Sequence, residues 1–148
     1  MKKKILIVIA DYYKDVSKGL LKNVYNFFGN SYLLKQIKVP GVFEIPVTIS
    51  KNIKKYDGFV ALGCVIKGNT PHFEFISRAT TDAIMRLSIQ YKKPIGYGVL
   101  TCFNKKQALK ITKVNNMRIL AKGFAPARII IRHRHLRLCY ITLCYMIL

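Results

Sequence analysis

His72 lies where acid–base work on an anionic substrate is chemically reasonable. It follows Gly68-Asn-Thr-Pro71 and opens a long segment with helical spacing. Glycine, small polar side chains and free amides at a helix start attract anions, because unpaired N–H groups and the helix dipole both favour negative charge there. A histidine in that place can exchange protons near neutral pH. The same residues also fit a plain solvated loop, with Thr70 as an N-cap. Tyr12 and Phe43 each stand just beyond a strand-like run. Such aromatics can stack on a flat heterocycle, although plugging the end of a core is their commoner use. Glu44, next to Phe43, suits either a cap for the helix that follows or a hydrogen bond to ligand hydroxyls.

The elements that must hold these residues alternate in type. Ile5–Ala10 is a continuous apolar run rich in β-branched residues, as expected of a strand buried on both faces. Helical spacing of Val16, Leu20, Val24 and Phe27 predicts a helix over 15–29, stopped by Gly29-Asn30. A second strand is expected at 32–39, a turn at Pro40-Gly41 and a helix over 44–55, started near Pro46, with Val47, Ile49 and Ile53 as its apolar positions. A third buried strand covers 59–66. A long helix covers 73–91, with Ile76, Ala79, Ala83, Ile84 and Leu87 on one face, and a fourth strand covers 94–100. Strands alternating with helices imply a parallel four-stranded sheet covered on both sides, a three-layer α/β/α, flavodoxin-like sandwich. Ligands of such open sheets bind beyond the carboxyl ends of the strands. That rule gathers residues 11–13, 40–44, 67–72 and 101–104 at one rim. No internal repeat, linker or low-complexity tract interrupts the pattern.

At 148 residues, 51% of them hydrophobic, the chain can bury one proper core and is no disordered polymer. Its net charge of +20 raises nucleic acid, an anionic membrane or an anionic substrate as partners. No nucleic-acid recognition motif accompanies that charge, and few aromatics interleave with the basic C-terminal stretch. Neither nucleic acid nor a membrane is therefore expected as a partner. Cys64, Cys102, Cys139 and Cys144 lack metal-ligand or redox spacing and read as reduced thiols, which fits the cytoplasm. The apolar run after Lys2–Lys4 is too short for a signal peptide and is ended by Asp11. Leu138–Leu148 is about half the length needed to span a bilayer. Adjacent residues of His133-Arg-His135 point in different directions on a helix or strand, so no metal site is read there.

Two blocks carry a family resemblance. Val39-Pro-Gly-Val-Phe-Glu-Ile-Pro46 and Leu62-Gly-Cys-Val-Ile-Lys-Gly-Asn-Thr-Pro-His-Phe-Glu-Phe75 resemble, in order and separation, the two signature blocks of the 6,7-dimethyl-8-ribityllumazine synthases. Ile9–Tyr13, Pro94–Thr101 and Asn104–Leu109 are similar to further segments of that family, so the likeness covers roughly residues 3–110. It implies a condensation in riboflavin biosynthesis that needs no cofactor and no metal. The substrates would be 5-amino-6-(D-ribitylamino)uracil and 3,4-dihydroxy-2-butanone 4-phosphate. It also implies roles: Tyr12 stacking on the pyrimidine, Phe43 and Glu44 at the ribityl chain, and Ile45 and Cys64 among the substrate-binding residues. Val65 and Ile66 would line the pyrimidine pocket with backbone groups, Gly68, Asn69 and Thr70 would cradle the phosphate, and His72 would shuttle protons. Tyr97 falls where the family places an aromatic donated by a neighbouring subunit, which implies a homo-oligomer, a pentamer or larger shell, with sites between subunits.

The C-terminal part departs from that pattern. Ile111 stands where the family carries a phosphate-binding arginine, and isoleucine cannot make a charge-assisted bond. All six acids precede residue 83. Up to residue 117 there are 18 Lys and two Arg, and beyond it five Arg and a single Lys. The chain is accordingly read as a synthase-like α/β domain at 1–110 and an aberrant basic and apolar tail at 111–148. A shifted reading frame, a divergent tail and a basic RNA-binding extension are the three origins considered for it. Against the enzyme stand two other readings, a scaffold-type relative with impaired catalysis and a basic nucleic-acid binder.

Overall fold

The computed structural model describes residues 2–113. Of the proposed tail, residues 111–113 close the last helix, and the rest, with His133–His135, Cys139 and Cys144, lies outside the described residues. Four strands, β1 (Lys4–Ala10), β2 (Leu33–Val39), β3 (Gly58–Ile66) and β4 (Ile95–Cys102), alternate with four helices. The helices are α1 (Lys14–Phe28), α2 (Ile45–Asn52), α3 (His72–Tyr91) and α4 (Lys105–Lys113). All strand pairs are parallel and the order is β2-β1-β3-β4. The flavodoxin-like architecture expected from the alternation is the one observed.

The apolar runs explain the order. β1 and β3 are buried along almost their whole length and occupy the centre, while β2, with exposed Leu33, Lys35, Gln36 and Lys38, lies at an edge. Successive β1 side chains serve opposite faces. Ile5, Ile7 and Ile9 join Val16, Leu20 and Val24 of α1 and Ala108 of α4, whereas Leu6, Val8 and Ala10 meet Ile45 and Ile49 of α2 and Ile84 of α3. Close packing joins α1 to α4: Asn23 Nδ2 donates to the Thr112 carbonyl (3.2 Å), and a Cβ on Gly19 would stand 2.7 Å from that of Thr112. Among the described residues no helix is long and apolar enough to cross a membrane.

Three local expectations shift. The segment expected to open a helix at 44 first makes a 3₁₀ turn over Val42–Glu44, and α2 ends at Asn52. Ile45, Ile49 and Ile53 form its inward line, which leaves Val47 about half exposed. On α3 the fully buried positions are Thr80, Ile84 and Ser88. Ala79 is exposed, and Ile76, Ala83 and Leu87 are half-buried at the flanks. Small side chains on the inward ridge let α3 sit close to the sheet, which an apolarity count alone would miss.

Candidate active site

The chain runs from β1 outward to β2, then returns past β1 to β3 and continues to β4, so its direction across the sheet reverses between β1 and β3. At such a reversal the carboxyl ends of the two central strands are the usual ligand position in this architecture. Residues 11–13 and 67–71 flank it, and the turn after β2 lies beside it.

After β1 the backbone is pinned twice. Asp11 N–H donates to the Val39 carbonyl (2.9 Å), and Ser17 Oγ donates to the Ala10 carbonyl (2.8 Å). Tyr13 then turns inward onto the core, and burial raises its phenol pKa. Tyr12 stays 74% exposed, edge-on to Tyr13 with ring centroids 4.9 Å apart. After β2, Val42 is buried and Phe43 is 60% exposed. Their turn rests on β3 at Gly63, where a Cβ would stand 2.5 Å from Val42 Cγ1. Glu44 Oε2 accepts from the Gly41 N–H (3.0 Å), so this carboxylate closes its own 3₁₀ turn and makes no cap to α2. Phe43 and Tyr12 are thus both presented to solvent, and neither plugs the core.

Between β3 and α3 every residue from Lys67 to His72 is exposed, and no heavy atom lies within 4 Å of where a Gly68 Cβ would be. The N-cap of α3 is Pro71, without a side-chain cap, so Thr70 does not serve as the cap. Glu74 N–H bonds the Pro71 carbonyl (2.9 Å), and the backbone amides of His72 and Phe73 precede that first helical bond. An anion approaching the 68–72 loop meets those amides and the positive end of a 20-residue helix.

The remaining candidates divide. Ile45 is fully buried and Cys64 nearly so, so either would reach a ligand through its backbone; Val65 and Ile66 are half-buried at the end of β3. Burial, with the Cys102 side chain beside it, pushes the Cys64 thiol up to about 12. Tyr97 does not join the rim of its own chain. It registers with Ala61, five residues and roughly 16 Å back from Ile66, and its hydroxyl meets Thr81 Oγ1 of α3 (2.7 Å). Ile111 packs on the α1 side of the core, in keeping with an apolar residue where the resemblance expects arginine.

Two exposed aromatics, Phe75 (70%) and Phe103 (63%), were not singled out from sequence. Phe103 directly follows β4, and the Lys67 ammonium lies 5.7 Å from its ring centroid. Their exposure depends on strand ends and helix starts, and apolarity alone signals burial.

This edge defines an α/β protein of the open parallel-sheet class, with exposed aromatics, a carboxylate and an anion-accepting loop around its switch point. A family model described as 6,7-dimethyl-8-ribityllumazine synthase matches residues 2–136, past the end of the blocks near 110, and the chain belongs to that family. It is similar to the 6,7-dimethyl-8-ribityllumazine synthase of Renibacterium salmoninarum, 37% identical over 107 residues, 71% of this chain and 67% of the relative. The enzyme of that name from Bartonella tribocorum is 40% identical over 119 residues, 76% of this chain and 79% of the relative. That of Helicobacter acinonychis is 36% identical over 113 residues, 72% of each.

Proposed function

We propose that the chain condenses 5-amino-6-(D-ribitylamino)uracil with 3,4-dihydroxy-2-butanone 4-phosphate to 6,7-dimethyl-8-ribityllumazine, releasing phosphate and water, in riboflavin biosynthesis. The amine adds to the ketone, loss of water gives a Schiff base, phosphate departs, and ring closure with loss of a second water yields the product. The observation carrying this reading is membership of the synthase family together with the convergence of both signature blocks on one sheet edge.

Within it, Tyr12 stacks on the pyrimidine, and Phe43, Glu44 and the Ile45 backbone hold the ribityl chain. Backbone groups of Cys64, Val65 and Ile66 line the ring pocket. Gly68, Asn69 and Thr70 cradle the phosphate, and His72 passes protons between the reacting nitrogen and oxygen atoms. Holding two reactants in contact and moving protons provides most of the acceleration such a condensation needs. Tyr97, remote from its own rim, serves a neighbouring copy, so the working form is a cytoplasmic homo-oligomer, a pentamer or larger shell.

Titration of the lumazine's fluorescence with the purified chain and with Phe43→Ala tests the assignment. The variant is expected to bind about ten times more weakly, in line with loss of a stacked aromatic. Equal affinities remove Phe43 from the site.

A further inference from the structure

The phosphate end of the proposed site contains anion-accepting amides, but none of its assigned residues, Gly68, Asn69 and Thr70, carries a positive charge. Ile111 supplies none either, since it packs against the core. Lys67 is the cation that directly adjoins the loop, and its backbone is held in place. The β3–β4 ladder continues one residue beyond the strand ends, with Lys67 N–H donating to the Cys102 carbonyl (2.8 Å). Ile66 pairs with Cys102, so Lys67 and Phe103 are the next cross-strand neighbours. By strand alternation they share the sheet face of Val65 and Val99, the face that α3 covers.

Phe103 is fixed in turn by the start of α4. Its N–H donates to Gln107 Oε1 (2.8 Å), while Gln107 N–H donates to Asn104 Oδ1 (2.9 Å). This reciprocal capping holds the ring at the mouth, and the ring holds the ammonium 5.7 Å from its centroid. A lysine on a free stem would lose side-chain entropy on meeting an anion; one already resting on an aromatic face loses less.

We infer that Lys67, steadied by Phe103, is the phosphate-binding cation of the site, with Phe103 as its positioning residue. The inference rests on the proposed synthase reading for the identity of the phosphate-bearing substrate. It adds the residue that supplies the charge.

Two measurements on the full chain test it: steady-state KM for each substrate, and the dissociation constant of inorganic phosphate by calorimetry. Lys67→Met is expected to raise the KM of the butanone phosphate and to weaken inorganic phosphate by about three- to tenfold, the lower range for an exposed charge-assisted contact. The KM of the pyrimidine should stay unchanged and the effect should shrink in high salt. Lys67→Arg should retain binding, and Phe103→Leu should shift the phosphate terms alone by about two- to fivefold. Unchanged phosphate affinity in Lys67→Met overturns the inference, as does an equal loss for both substrates. A wild-type chain that binds phosphate through Lys67 but makes no lumazine defeats the synthase reading and leaves the Lys67 assignment standing.

Discussion

Tyr12 and Tyr13 are neighbours of the same type with opposite surroundings: one ring faces solvent at the rim, the other rests on the core and holds the loop. Sequence placed both beyond β1 but could not assign the inward one, because the choice depends on α1 docking beneath it. His72 is placed more simply, as the exposed first residue of α3. His72→Ala is expected to slow turnover by about ten- to a few hundredfold, the low end for a general acid–base, because the loop keeps its shape and water relays protons. Steady-state kinetics measure it, and an unaltered kcat would remove the proton-transfer role. Cys64 makes the opposite case. Its thiol stays protonated in the fold, and alkylation by iodoacetamide in the native state should be slow at pH 8 relative to the unfolded chain. Peptide-resolved labelling reads this out, and native labelling as fast as in denaturant would contradict the burial.

At the scale of elements, β1, β3 and the long α3 were legible because unbroken apolar runs and helical spacing leave few alternatives. The turn carrying Phe43 was not, since its conformation follows from a long-range contact: Val42 occupies the space that a side chain on Gly63 would fill. Gly63→Ala should therefore push the turn off β3, costing about 1–3 kcal/mol of stability as an overpacked core does. It should also weaken ligand binding through displaced Phe43 and Glu44. Denaturant midpoints and the fluorescence titration together check this, and a variant with wild-type values in both would show that the turn is not seated there. The inward face of α3 was legible through Ile76, Ile84 and Leu87, but the buried Thr80 and Ser88 were not. Thr80 and Ser88 are small enough for close approach, and Ser88 Oγ satisfies itself by donating to the Lys93 carbonyl (2.7 Å).

Over the whole molecule, the strand order and its switch point had no signature in the sequence, because nothing local says that β1 pairs with both β2 and β3. Stability against pH is also a whole-molecule property. The Asp57 carboxylate accepts from the Lys4 N–H (2.7 Å), with Lys3 Nζ 3.5 Å away, and lies below its ordinary range chiefly through that backbone bond. Its contribution is present above the unfolded carboxylate pKa and is lost as pH falls through the lower folded value. Cys64 acts in the other direction: its protonated form is favoured by folding, so stability falls as pH rises from about 9, its ordinary value, towards 12. A thermal melt series should thus show a plateau from weakly acidic pH to about 9, with losses on both sides. The proposed sharing of sites between copies leads to a further expectation. His72→Ala and Tyr97→Ala, refolded together, should turn over faster than either alone, whereas mixtures no more active than their parts would place Tyr97 outside the site.

The most direct test of the account is the reaction itself. The purified full chain, mixed with 5-amino-6-(D-ribitylamino)uracil and 3,4-dihydroxy-2-butanone 4-phosphate, should form the fluorescent lumazine faster than the uncatalysed mixture and release one phosphate per product. A rate equal to that of the protein-free mixture, from a chain that still binds the lumazine at the Phe43 edge, would contradict it and leave a ligand-binding scaffold in its place.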